Sequence, residues 1–114
     1  MASKYNSRKQ TIDNITFDSR FEANYYCELK LRKRAGEIKD FELQPEFILQ
    51  EGFKHNGKKI QPIKYRADFK VIYPDGREEI IDTKSPATKT KDYLLKKKLL
   101  LYKYPDIDFK EVMK

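Results

Sequence analysis

The most constraining feature of the chain is a pair of β-prone runs joined by a tight turn, each run carrying an acid where an apolar residue would be expected. Ile63 to Tyr73 is the clearest strand pattern. Pro74-Asp75-Gly76-Arg77 follows, and Glu78 to Lys84 reads as the returning strand. Proline presets one backbone angle of such a turn and glycine accepts another, so the two strands run antiparallel. Asp68 lies seven residues before Asp75 and Asp82 six after Gly76, which sets the two acids opposite each other within a residue or two of register. Asp82 and Lys84 are two apart and leave one face of their strand.

Two buried carboxylates close together repel, and at least one is driven toward its protonated form unless a cation sits between them. A hard divalent ion with oxygen ligands resolves the repulsion, and magnesium keeps several waters for substrate phosphates. Lys84 on the same face is placed to orient an attacking water or to support negative charge. The alternative is a structural ion pair among Asp68, Asp82 and Lys84 at a strand end, and spacing alone does not decide between them.

Charge narrows the partner. Lys plus Arg number 25 against 18 Asp plus Glu, a formal net charge of +7. Such an excess attracts polyanions through long-range Coulomb forces and counterion release, nucleic acid first and an anionic membrane surface second. No apolar run approaches the roughly 20 residues needed to span a bilayer, and Met1 to Gln10 has no signal-type apolar segment. The 114 residues fit one domain, 1–114, with residues 1–10 as a basic arm carrying Lys4, Arg8 and Lys9. The single cysteine, Cys27, fits a reducing cytoplasm. The only histidine, His55, lies in a glycine-bearing stretch, so neither a thiol nucleophile nor a Cys/His zinc site is indicated.

The remaining elements follow from local signals. Thr11 to Phe17 reads as a tight hairpin about Asp13-Asn14. Ser19 followed by Glu22 matches a capping box, which starts a helix over Arg20–Ala35 with Gly36 as its stop. Phe21, Tyr25, Tyr26 and Leu29 supply its apolar stripe. Ile38 to Leu49 alternates as a strand broken at Pro45, and Gln50 to Gln61 reads as a loop. A second helix is expected over Lys91–Tyr102, closed by Pro105, and a final strand over Asp108–Met113. The class is α/β, with a mixed central sheet and helices packed on it.

Asp68, thirteen intervening residues and Asp82-Thr83-Lys84 resemble the acid, acid-x-lysine signature of the PD-(D/E)XK nucleases. Those enzymes share an αβββαβ core, the restriction-endonuclease-like order read here. Lys4-Tyr5-Asn6, Phe17 to Ala23, Phe41 to Gln44, Ala67-Asp68-Phe69 and Leu101 to Pro105 further resemble a small phage-borne family of that superfamily, near the phage Holliday junction resolvases. Two positions depart from the pattern: Ala67 replaces the proline of the name, and Asp82 stands where glutamate is more frequent. Neither change removes a ligand.

The resemblance implies a magnesium-dependent DNA endonuclease, with manganese able to substitute, that leaves a 5′-phosphate and a 3′-hydroxyl. Asp68, Asp82, the Thr83 carbonyl and Glu22 would hold the metal, and Lys84 would be catalytic. Glu22 has a competing explanation as the partner of Ser19 in the capping box. Branched DNA as substrate, a homodimer, no membrane, and the cytoplasm (of a bacterial host, if phage-encoded) are the corresponding expectations. Candidate DNA contacts are Arg8, Lys9, Gln44, Lys89, Lys91, Lys97 and Lys98; Lys98 is expected within an apolar stripe of Leu94, Leu95, Leu101 and Tyr102. A site-specific duplex endonuclease of restriction or homing type, a non-catalytic nuclease-fold DNA binder, and a membrane-surface or RNA-binding protein are the alternatives.

Overall fold

A computed structural model of the chain describes residues 9–114. The expected arm therefore lies almost wholly outside the described residues, Arg8 included; Lys9 is exposed coil. Strands β1 (Gln10–Ile12) and β2 (Ile15–Phe17) form the expected hairpin, with Asp13 and Asn14 at φ of 53° and 63°. Both are residue types that tolerate this left-handed region. Asp13 ties the hairpin to the helix that follows by accepting from Tyr26 at 2.8 Å and Lys30 at 2.5 Å.

Helix α1 spans Arg20–Arg34. Ser19 caps it, its hydroxyl accepting the Glu22 amide at 3.1 Å. Only half of a capping box is built, because the Glu22 carboxyl turns inward with Ala23, Tyr26 and Leu29. At the other end the Gly36 amide reaches the Lys33 carbonyl and the Glu37 amide the Arg32 carbonyl, with Gly36 at φ +81°. A residue with a Cβ is strained there.

The chain continues through β3 (Asp40–Leu43), β4 (Glu46–Gln50), β5 (Phe53–His55), β6 (Lys58–Ile60), β7 (Ile63–Arg66), β8 (Phe69–Ile72) and β9 (Glu78–Lys84). A 3-10 turn at Pro86–Thr88, helix α2 (Lys91–Lys103) and β10 (Phe109–Met113) complete it. The central sheet has the order β10-β9-β8-β3; β10 runs parallel to β9 and the other pairs are antiparallel. The mixed α/β class is thus as expected.

Two expectations are corrected. Gln50 to Gln61 is not a loop: β5 and β6 pair within it around Asn56-Gly57, at φ of 49° and 78°. Asn-Gly is a strong signal for this type of turn, and it was present in the sequence. The run Ile63 to Tyr73 is also two strands, since β7 pairs with β4 while β8 pairs with β3. The bend falls at Gln44-Pro45 on one side, Gln44 having φ 51°, and at Ala67-Asp68 on the other. Bonds from Gln44 N to the Asp68 carbonyl (2.9 Å) and from Ala67 N to the Pro45 carbonyl (3.0 Å) hold it. Proline cannot donate to a ladder, which favours the break where it occurs.

Alternation along β9 divides the core. Ile81, with Phe69 and Val71, packs with Phe17, Ala23, Tyr26, Leu29 and Ile38 on the α1 side. Ile80 packs with Tyr65, Ala67, Tyr93 and Leu100 on the α2 side. Asp82 and Lys84 share the parity of Ile80 and so face α2. The apolar stripe expected on α2 is a further correction: Tyr93 and Leu100 are its buried residues. Leu94, Leu95, Leu101 and Tyr102 are exposed, and Lys98 with them.

Candidate functional site

The bend in the long hairpin ends β8 beside the middle of β9. Phe69 pairs with Ile81, so Asp68 and Asp82 come opposite each other, as their distances from the turn predict. Asp68 sits where β7 has left the sheet, and its carboxylate takes the place of a strand partner. Its Oδ2 accepts the Thr83 amide at 2.8 Å and the Thr83 hydroxyl at 2.7 Å. Thr83, whose carbonyl the resemblance offers to a metal, holds Asp68 through its amide and hydroxyl. The Asp68 amide in turn donates to Oδ1 of Asp82 at 3.2 Å.

Asp82 is among the most deeply buried residues, at 1% exposure. Its Oδ2 accepts the Tyr65 hydroxyl. Lys84 Nζ stands 4.0 Å from the same oxygen, at the outer limit of an ion pair, and 4.3 Å from the centre of the Tyr93 ring. Burial drives the Asp82 carboxyl up to about 6, against the pull of Lys84. Burial also raises Asp68, and the two Thr83 donors and Lys84 oppose it.

Glu22 approaches from the first turn of α1. It is buried, and its carboxyl is pushed up to about 7 by burial and then by the charges of Asp68 and Asp18, with Asp82 adding to them. The backbone amide of Asp18 is what lowers it. The sequence brought Glu22, Asp68, Asp82 and Lys84 into consideration, and all four belong to one electrostatic neighbourhood.

Sequence reasoning missed the other half of the site. Glu111 on β10 is the register partner of Asp82. It accepts from the Tyr93 hydroxyl and pairs with Lys89 at 3.2 Å and Lys97 at 3.3 Å. Burial pushes its carboxyl up, but these three donors outweigh burial and hold it below the usual range. Burial, then the bond to Glu111, raises the Tyr93 phenol, which stays a neutral donor. Lys89 and Lys97, expected as DNA contacts, both pair with Glu111. Parallel pairing of β10 with β9 is a matter of topology, and no local pattern announces it.

Above these residues opens a cleft of about 480 Å³ lined by Asp18, Gln44, Lys64, Arg66, Asp68, Lys84, Tyr93 and Lys96, among others. Gln44, expected as a DNA contact, is among the lining residues. Lys91 is exposed at the start of α2 and Lys98 is exposed further along it; neither lines the cleft. Among the described residues no three His, Cys, Asp or Glu side chains are arranged to hold one metal ion. The donor set nonetheless suits a hard cation with few protein ligands. It consists of carboxylate oxygens alone, two of its carboxyls are raised to about 6 and 7, and a positive charge would relieve both.

The fold and site define a mixed α/β protein with buried acids beside a cleft whose lining carries four acids, Asp18, Glu46, Asp68 and Asp92, and four cations, Lys64, Arg66, Lys84 and Lys96. Residues 2–114 match the model of a family described as "Protein of unknown function (DUF1064)", and the chain belongs to that family. No curated protein and no solved structure matches the chain. Among the described residues no helix is long and apolar enough to cross a membrane.

Proposed function

We propose that this chain is a magnesium-dependent DNA endonuclease of the PD-(D/E)XK type, acting on branched DNA such as a four-way junction. One observation carries the reading: Asp68 and Asp82 lie opposite each other on adjacent strands at a bend, Asp82 buried with Lys84 4.0 Å away, and Asp68 and Lys84 line the cleft. Burying acids in this way costs stability, and a purely structural role does not explain the cost. Folds keep such arrangements at sites where chemistry needs perturbed acids.

Asp68 and Asp82 would hold the ion, and Glu22 would join them by a shift of its side chain or through water. When bound, magnesium supplies Lewis-acid polarisation of a phosphate and acidifies a water. Thr83 fixes the rotamer of Asp68, and Tyr65 and the Asp68 amide fix Asp82. Lys84, seated over the Tyr93 ring, keeps its ammonium at the cleft floor, where it orients the attacking water or meets developing negative charge. Lys64 and Arg66 at the cleft wall neutralise neighbouring phosphates.

The test is incubation with a synthetic four-way junction and its linear duplex, at one salt concentration, with magnesium or with chelator. Magnesium-dependent cutting that prefers the junction supports the whole reading. Equal cutting of both favours a duplex endonuclease. Among the described residues no three metal-binding side chains converge, which favours a second reading, a nuclease-like fold that only binds DNA. Such a protein would retain DNA in chelator and never nick it.

A further inference from the structure

All six residues of β5 and β6 are exposed, and the register of the hairpin sets Lys54 directly opposite Lys59. Facing pairs in an antiparallel ladder have Cβ atoms only about 5 Å apart, and like charges there are destabilising. At the tip His55 stands opposite Lys58. Between residues 51 and 66 the only acid is Glu51, against Lys54, Lys58, Lys59, Lys64 and Arg66. Elsewhere among the described residues seven lysines pair with carboxylates, Lys30 with Asp13, Lys33 with Asp40, Lys70 with Glu78, Lys84 with Asp82, Lys89 and Lys97 with Glu111 and Lys96 with Asp92, while Lys39, Lys91, Lys98, Lys103 and Lys110 pair with none. Among the described residues none of the five cations of residues 54–66 has an ion-pair partner. This segment concentrates positive charge where folding alone would disperse it.

The charge also has a direction. β7 leads from the hairpin to the bend at Asp68, and both Lys64 and Arg66 are exposed on it and line the cleft. They are two residues apart and so project from the same side of the strand, about 6.7 Å apart. That step matches two nucleotides of rise at about 3.4 Å per strand. A line of cations ending at a cleft fits a strand of phosphates better than it fits a flat lipid surface.

We infer that the β5–β6 hairpin, continued by Lys64 and Arg66 of β7, is an arm that binds the phosphate backbone of a nucleic acid and leads it to the cleft. The inference rests on the nucleic-acid reading above, but not on cleavage. Its ligand is the sugar–phosphate chain, so it adds affinity and direction and reads no bases.

The experiment compares Lys54→Gln/Lys59→Gln with the wild type, using a fluorescent 30-base-pair duplex in chelator and reading anisotropy across a salt series. A control, Lys33→Gln/Lys39→Gln, removes two charges at the end of α1 and just before β3, neither of which lines the cleft. The hairpin variant is expected to bind roughly tenfold more weakly near 0.1 M salt, with a log–log salt slope shallower by about 1.8, since each phosphate contact contributes about 0.9. An unchanged slope overturns the inference. So does an equal loss in both variants, which would show that only net charge matters. So does a loss of binding to phosphatidylserine vesicles with DNA affinity intact. If the hairpin variant shows the slope change while no protein cuts DNA in magnesium, the arm stands and the nuclease reading falls. If Asp82-dependent cutting occurs and the slope does not move, the arm falls alone.

Discussion

Asp68 and Thr83 are joined twice, the Thr83 amide and hydroxyl both donating to Oδ2 of Asp68, at 2.8 and 2.7 Å. The residue between the acid and the lysine of the Asp82-Thr83-Lys84 triplet is therefore what steadies the other acid across the strand pair. Thr83→Val keeps the β-branched shape and the amide bond but loses the hydroxyl. It should cost about 1 kcal/mol of stability at neutral pH. Since the hydroxyl helps lower the Asp68 carboxyl, its loss should also move the acid limb of the cleavage pH profile upward. Urea titration and pH–rate profiles of the variant check both effects. An unmoved limb would separate Thr83 from the acid's function.

The buried acids predict an unusual pH dependence for the metal-free protein. Asp82 at about 6 and Glu22 at about 7 are raised in the fold, so between pH ~4 and ~7 the folded state binds more protons than the unfolded one. Their contribution to stability is full below about pH 4 and is lost as pH rises through 6 to 7. In chelator, the urea midpoint should be lower at pH 8 than at pH 5, by an amount worth on the order of a few kcal/mol at most. Millimolar magnesium at pH 8 should recover much of that loss, because a ligand that binds only the folded state stabilises it. Midpoints that neither fall with pH nor respond to magnesium would contradict the electrostatics of the site.

Glu111 gathers Tyr93, Lys89 and Lys97 around one carboxylate. Glu111→Gln removes the charge that all three donors answer, and should cost about 1–3 kcal/mol. Because Lys84 rests on the Tyr93 ring, loosening Tyr93 should also slow any Lys84-dependent step. Thermal unfolding and single-turnover cleavage of the same preparation read the two effects. A variant as stable as the wild type would mean that the cluster is only a solvated set of pairs.

Gly57 closes the β5–β6 turn at φ +78°, with open space around its Cα. Gly57→Ala meets no clash but must adopt a left-handed conformation that costs an L-residue about 1–2 kcal/mol. The expected result is faster amide exchange in Phe53 to Ile60 with the melting temperature of the sheet nearly unchanged. A large drop in melting temperature would show the hairpin to be part of the core.

Much of this was legible because the governing signals are local. The Pro74-Asp75-Gly76-Arg77 turn set β8 against β9 and with it the opposition of Asp68 and Asp82. Ser19 and Gly36 marked the ends of α1. What escaped reading depends on tertiary placement. A helix with leucines at 94, 95, 99, 100 and 101 offers several apolar faces, and only packing chooses Tyr93 and Leu100. The bend at Ala67-Asp68 needs β4 to pair away from the central sheet, a choice made by Gln44-Pro45 more than twenty residues earlier. Glu111 became part of the site only because β10 adds parallel to β9. The Asn56-Gly57 hairpin was different, since its signal was local and was overlooked.

The most direct test of the account is cleavage of a four-way junction in magnesium by the wild type and by Asp82→Asn, prepared side by side and shown to be folded by circular dichroism. Asparagine preserves the size of the side chain and an acceptor for the Asp68 amide, and removes the charge together with the acceptor that faces the Tyr65 hydroxyl. The account predicts magnesium-dependent cutting by the wild type and a rate at least ~1000-fold lower in the variant, about the loss expected on deleting a principal electrostatic group. Cutting at the wild-type rate by Asp82→Asn, or none by the wild type at any magnesium concentration, would contradict it.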